Sequence, residues 1–165
     1  MVPVEYVAAE KAILREITLS LGEDEYKALF KGKIDRIDKM DGHRRICDYK
    51  TGSVEELGSY ISNDGKTFDF LDAVMSAEKK TSFQLLVYAW LLSEEEDFYL
   101  SVYKVKSLFS EGVSKSFCPK ETTGEFDSRL MPVMEGIFNP EVPFAPGNDV
   151  SRLCPYCPAK ALCGR

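Results

Sequence analysis

In Gly32-Lys33-Ile34-Asp35-Arg36-Ile37-Asp38-Lys39-Met40-Asp41-Gly42-His43-Arg44-Arg45-Ile46-Cys47-Asp48-Tyr49-Lys50-Thr51-Gly52, two alternating runs flank an Asp-Gly pair. Asp-Gly is a strong hairpin signal, because both central residues of the turn must accept positive φ. With Asp41 and Gly42 as a two-residue loop, Met40 pairs with His43. Asp35 then falls opposite Asp48, and Lys33 opposite Lys50. Opposed residues share a face, as do residues two apart on one strand. The spacing therefore predicts Asp35, Asp48, Lys33 and Lys50 on one side, with Ile37 facing Ile46 beside them. Cys47 falls on the other side, where a small packed thiol is the ordinary reading.

Carboxylates directly opposite in a ladder have Cβ atoms about 5 Å apart and repel unless something lies between them. Asp38 faces Arg45 in an ordinary salt pair, but Asp35 faces Asp48 with no such compensation. A divalent cation resolves the conflict: Mg²⁺ or Mn²⁺ takes oxygen ligands, commonly one or two carboxylates with water and phosphate. A hairpin carrying solvated charges is the alternative.

Asp35 followed thirteen residues later by Asp48-Tyr49-Lys50 resembles the active-site core of PD-(D/E)XK nucleases, especially the RecB/AddB-like branch. The resemblance implies a restriction-endonuclease-like α/β core, a central mixed β-sheet flanked by helices. It further implies that Asp35 and Asp48 bind the metal and that Lys50 activates water or stabilises the transition state. The backbone carbonyl of Tyr49 is a further ligand candidate. This branch also carries an acidic residue shortly before Gly-x-Ile-Asp, and Glu10 is the positional match; a surface glutamate is the other reading of Glu10.

Two later features extend the resemblance. Glu78 to Leu92 is apolar and rich in helix formers, so it reads as a buried helix with Thr81 or Ser82 near its start. Its apolar run is too short to span a bilayer. Gln84 and Tyr88 are four apart, hence on one helical face, and resemble the Gln-x-x-x-Tyr motif that lines the DNA-facing side of such sites. Near the C-terminus, Cys154, Cys157 and Cys163 are spaced C-x₂-C-x₅-C. Thiolates at such spacing suit zinc or an iron–sulfur cluster more readily than disulfides. The triplet resembles that of AddB-type nucleases, which hold a [4Fe–4S] cluster with a fourth, upstream cysteine. That fourth ligand has no counterpart here, since neither Cys47 nor Cys118 matches its position. His43, flanking the turn, reads as a solvated residue.

The 165 residues suit one domain, with a nuclease core over 1–150 and a cysteine tail over 151–165. Five cysteines without an export signal point to the cytoplasm, and no membrane association is expected. A net charge of −6 and a pI near 5.0 exclude a chain that is basic overall. Cations cluster instead around the hairpin and at Lys79-Lys80. The function the resemblance implies is Mg²⁺- or Mn²⁺-dependent DNA hydrolysis, as an exonuclease in recombination or repair, beside a helicase-like partner or within a parent polypeptide. The alternative is a non-catalytic DNA-end-binding module of the same fold.

The remaining elements are read more coarsely. Val4 to Ile17 suits a helix by its alanines and a strand by its alternation. Ser53 to Ala77 reads as a flexible insertion able to cover the cleft. Asp97 to Leu108 and Val113 to Cys118 read as strands. Phe126 to Phe138 reads as a helix, with Pro132 in its first turn or at a kink. A proline-marked tail follows.

Overall fold

The computed structural model describes residues 3–52, 54, 57, 79–93, 95–110, 113–143 and 154–163. The proposed insertion, apart from Val54 and Leu57, the Glu111-Gly112 turn and most of the proline-marked tail lie outside them. Strands β1 (Val4–Leu21), β2 (Asp24–Met40) and β3 (His43–Lys50) form an antiparallel meander. Helix α1 (Lys80–Leu92) leads into β4 (Phe98–Lys104), which runs parallel to β3. Strand β5 (Val113–Cys118) returns antiparallel to β4, and α2 (Lys120–Phe138) follows. The sheet order is β1-β2-β3-β4-β5. A parallel pair needs a crossover, and α1 lies within the one that joins β3 to β4.

The open question over the N-terminal segment resolves as a strand. Ile13, Ile17 and Leu19 are buried while Leu14, Glu16 and Thr18 are exposed, a period of two. Pairing with β2 along nearly its whole length overrides the helical preference of its alanines. The β1–β2 loop is Gly22-Glu23, with Gly22 at φ +69. Glycine at the first central position is a recognised hairpin signal.

Both helices pack on one face of the sheet. Ile34, Ile37, Ile46, Leu100 and Val102 meet Leu85, Leu86 and Ala89 of α1 and Phe126 and Leu130 of α2 in a single core. Trp90, fully buried, joins these layers. Its ring meets Phe30 edge-on at 5.3 Å and Phe126 at 6.3 Å. Its Nε1–H donates to Asp127 at 2.6 Å, and its carbonyl accepts from Arg15 at 2.7 Å. Gly32 lets β2 approach closely: a Cβ there would lie 2.9 Å from Leu91 Cδ1 and 3.2 Å from Ile13 Cγ1, so both side chains would have to shift.

Two elements differ from their sequence expectation. Helix α2 begins at Lys120 rather than Phe126, because Asp97, just before β4, accepts the Lys120 N–H at 2.9 Å. A carboxylate at a helix N-terminus satisfies an orphan donor. Pro132 sits in the helix interior rather than its first turn. Strand β4 stops at Lys104 and passes into a 3-10 turn over Val105–Ser107. No described helix is long and apolar enough to cross a membrane.

The Asp38–Arg45 pair is not an ordinary surface contact. Asp38 is 0% exposed and Arg45 6%, on the face away from the helices. Arg45 donates two hydrogen bonds to Asp38, at 2.7 and 2.8 Å, and a third to the Tyr103 hydroxyl at 3.1 Å. Arg36 adds a second guanidinium 3.0 Å from Asp38.

Candidate active site

The hairpin turn is built as its sequence requires, with φ +53 at Asp41 and +81 at Gly42. The register from Met40↔His43 to Arg36↔Cys47 is the one that the two-residue loop imposes. One step beyond, Asp35 meets β3 through its side chain, with Oδ2 accepting the Tyr49 N–H at 2.9 Å. This bond anchors Asp35, half-buried, beside Asp48, which is 4% exposed.

Asp48 is an electrostatically uncomfortable carboxylate. Burial raises its pKa above the ordinary aspartate value; Lys50 opposes that rise, while the charge of Asp35 adds to it. Lys50 Nζ stands 3.0 Å from Asp48 Oδ2. Among the described residues that ammonium is the only partner of this buried oxygen, which takes no further hydrogen bond. A buried carboxylate beside a second one, with a single ammonium against it, has the chemistry of a hard divalent-cation site. The Tyr49 carbonyl belongs to the same strand and supplies oxygen of the same class.

Lys50 is held from the helix. Its Nζ donates to Gln84 Oε1 at 2.8 Å, and Gln84 Nε2 donates to the Tyr88 hydroxyl at 2.9 Å. The i, i+4 spacing puts both α1 side chains on the face that meets β3. Thr81 and Ser82 lie buried inside the first turn, which starts from Lys79 without a side-chain cap. Gln84→Ala is expected to lower cleavage about 10–100-fold, the usual range when a group that orients an active-site residue is lost. Comparing single-turnover rates with Lys50→Ala checks this: a double variant no worse than Lys50→Ala shows that Gln84 acts through Lys50.

Glu10 sits apart from this group. By register it faces Asp35, between the pairs Ala9↔Arg36 and Lys11↔Ile34, and it has φ +51. Its exposed carboxylate pairs with Lys33. Among the described residues, no three His, Cys, Asp or Glu side chains form a group able to hold a metal ion. The expected metal set with Glu10 is therefore not assembled: Asp35, Asp48, Lys50, Gln84 and Tyr88 come together, and Glu10 stays on Lys33.

The cysteines divide in two. Cys47 and Cys118 are buried, and burial pushes both thiols up to about 12. Cys154 and Cys157 lie on and just after a 3-10 turn (Cys154–Tyr156), joined by the Cys157 N–H to the Cys154 carbonyl at 3.2 Å; neither is in a disulfide. Cys163 ends a second such turn, Lys160–Cys163. His43 is not a solvated turn residue. It is half-buried, edge-on to Tyr99 at 6.0 Å and Phe117 at 5.6 Å.

A mixed five-stranded sheet with two carboxylates on adjacent strands, and a lysine held from the covering helix, defines a restriction-endonuclease-like α/β protein. The chain belongs to the PD-(D/E)XK nuclease superfamily, whose family model matches residues 2–164. No curated protein matches the chain. A solved structure described as "Crystal structure of SSO0001" is similar at 20% identity and a TM-score of 0.40, covering 94% of this chain. The chain spans 59% of that protein's length.

Proposed function

We propose that this chain is a Mg²⁺- or Mn²⁺-dependent deoxyribonuclease that processes DNA ends in recombination or repair, as an exonuclease working beside a helicase-like partner or within a parent polypeptide. The observation that carries the reading is the buried Asp48 carboxylate, set beside the charge of Asp35 and answered by the Lys50 ammonium at 3.0 Å. Asp35, Asp48 and the Tyr49 carbonyl would hold the cation. When bound, it polarises the scissile phosphate and lowers the pKa of an attacking water. Lys50 places a fixed positive charge where negative charge develops, and the Gln84–Tyr88 pair keeps that charge in position before the reaction.

An acidic chain has little general affinity for DNA, so delivery by a motor protein suits it, and binding in isolation should be weak and salt-sensitive. A [4Fe–4S] cluster on Cys154, Cys157 and Cys163 requires a fourth thiolate. Buried Cys47 and Cys118 do not suit that role, which favours a ligand contributed by the parent assembly.

The test is incubation of end-labelled single- and double-stranded DNA with the chain in Mg²⁺, in Mn²⁺ and in EDTA. Metal-dependent shortening from one end is the expected result. Intact DNA in both metals, with retained binding to its ends, would replace the enzyme reading with the non-catalytic end-binding one.

A further inference from the structure

The sheet face turned away from α1 and α2 holds the buried Asp38–Arg45 pair at its centre and, around it, exposed aromatic side chains that neither the core nor the metal site uses. One row crosses all five strands through opposed residues: Tyr6, Asp38, Arg45, Tyr99 and Phe117. At 4.7–4.9 Å between strands, it spans about 19 Å. The next row runs Arg36, Cys47, Ser101, Lys115, and beyond it lie Tyr49 and Tyr103. Tyr99 and Phe117 are in edge contact at 5.4 Å, and the Tyr49 and Tyr103 rings lie 5.1 Å apart at 36°. Two cations stand over these rings: Lys115 Nζ 5.6 Å from Tyr99 and the Arg45 guanidinium 5.8 Å from Tyr103.

These rings are open to solvent to a degree that an interior sheet face is not: Tyr6 is 62% exposed, Tyr49 42% and Phe117 37%. The charges of the two rows are Arg36, Arg45 and Lys115 against Asp38, a surplus of two in a chain of net −6; Arg45 is buried on Asp38, so Lys115 and the partly exposed Arg36 are the cations that face solvent. Leucine and isoleucine are absent from both rows, whereas the opposite face is built from them. Exposed aromatic faces interleaved with cations match unstacked bases and their phosphates, not the aliphatic surface of a packed partner.

We propose that this second face is a stacking platform for single-stranded DNA, which carries the strand across the sheet from the side opposite the metal site. It rests on the nuclease reading for its biological sense, but binding tests it separately from cutting.

The experiment is fluorescence anisotropy of a labelled oligo-dT with the full chain in EDTA, where no metal-dependent cleavage occurs. Phe117→Ala and Tyr49→Ala are each expected to weaken binding by about tenfold, corresponding to the loss of one stacked base. Lys115→Ala, on an exposed edge strand and outside the core, is expected to lower the slope of log K against log salt by about 0.7. Conservative Tyr49→Phe should bind as the parent does, which separates ring stacking from folding. Oligo-dT affinity and salt slope unchanged in Lys115→Ala, or a self-associated chain that Phe117→Ala turns monomeric without loss of DNA binding, would overturn the platform. Cleavage by a chain whose platform variants bind normally leaves the nuclease reading intact. Platform-dependent binding by a chain that never cuts removes that reading and keeps the platform.

Discussion

Asp48→Asn is expected to reduce metal-dependent DNA cleavage by at least about 10²–10³-fold while leaving the chain folded. The substitution keeps the shape of a nearly buried side chain and removes only its charge. Loss of structure is therefore not the expected route to inactivity. Stability supplies the control. The folded pKa of Asp48 is raised, chiefly by burial, so folding favours the protonated acid. That contribution is fully present below the ordinary aspartate range and is lost as pH rises through the raised value. At neutral pH the native chain holds a carboxylate it would rather protonate, and asparagine relieves this. In EDTA at neutral pH, Asp48→Asn should melt no lower than the parent, and the difference should shrink on acidification. Adding Mg²⁺ reverses the order: at a hundred times its Kd it stabilises the parent by about 2.7 kcal/mol, or roughly 5–10 °C, and the variant much less. A variant that cuts normally, or a parent whose melting ignores both Mg²⁺ and Mn²⁺, would remove Asp48 from the metal site.

The part of this site visible in the sequence was the part fixed by local geometry. An Asp-Gly loop sets the register of β2 against β3, and register sets which side chains share a face. The Gln84–Tyr88 spacing likewise needs only helical period. What escaped depended on contacts between distant segments. Whether Val4 to Ile17 became a strand was decided by β2, not by its own alanines. The first six residues of α2 are polar and include Gly124, so no apolar period announces them; Asp97, more than twenty residues earlier, caps that end. Glu10 was placed by sequence distance from Gly32, but its pairing with Lys33 depends on side-chain direction at a positive-φ residue. The ring-bearing second face arises from the parallel β3–β4 pairing, whose register no turn specifies. His43 was misread for that reason: its packing partners, Tyr99 and Phe117, come from strands it cannot be paired with by inspection.

The same dependence explains why Asp38 and Arg45, which read as a surface salt pair, are expected to be among the most sensitive positions for stability. Asp38→Ala should destabilise the chain by about 3–5 kcal/mol, the usual effect of removing one partner from a buried ion pair. For a chain of this size that lowers the melting temperature by roughly 6–20 °C. The loss exceeds that of an ordinary hydrogen bond because Asp38 answers two guanidiniums. Without it, Arg45 keeps only the Tyr103 hydroxyl as a hydrogen-bonding oxygen, and Arg36 is left beside an uncompensated charge. Arg45→Ala should be milder, because Asp38 retains Arg36 at 3.0 Å. Replacing both with apolar residues should recover much of the loss, since two buried ions in good geometry do little more than cancel their own desolvation. A double-mutant cycle by urea denaturation measures this coupling directly. If both single variants unfold within about 0.5 kcal/mol of the parent, Asp38 and Arg45 are solvated after all, and the hairpin is held by its turn and the Ile37–Ile46 face alone. Because the pair backs the strands that carry Asp35 and Asp48, its loss should also loosen the proposed metal site. Asp38→Ala should therefore weaken Mg²⁺ stabilisation even at temperatures where the chain remains folded.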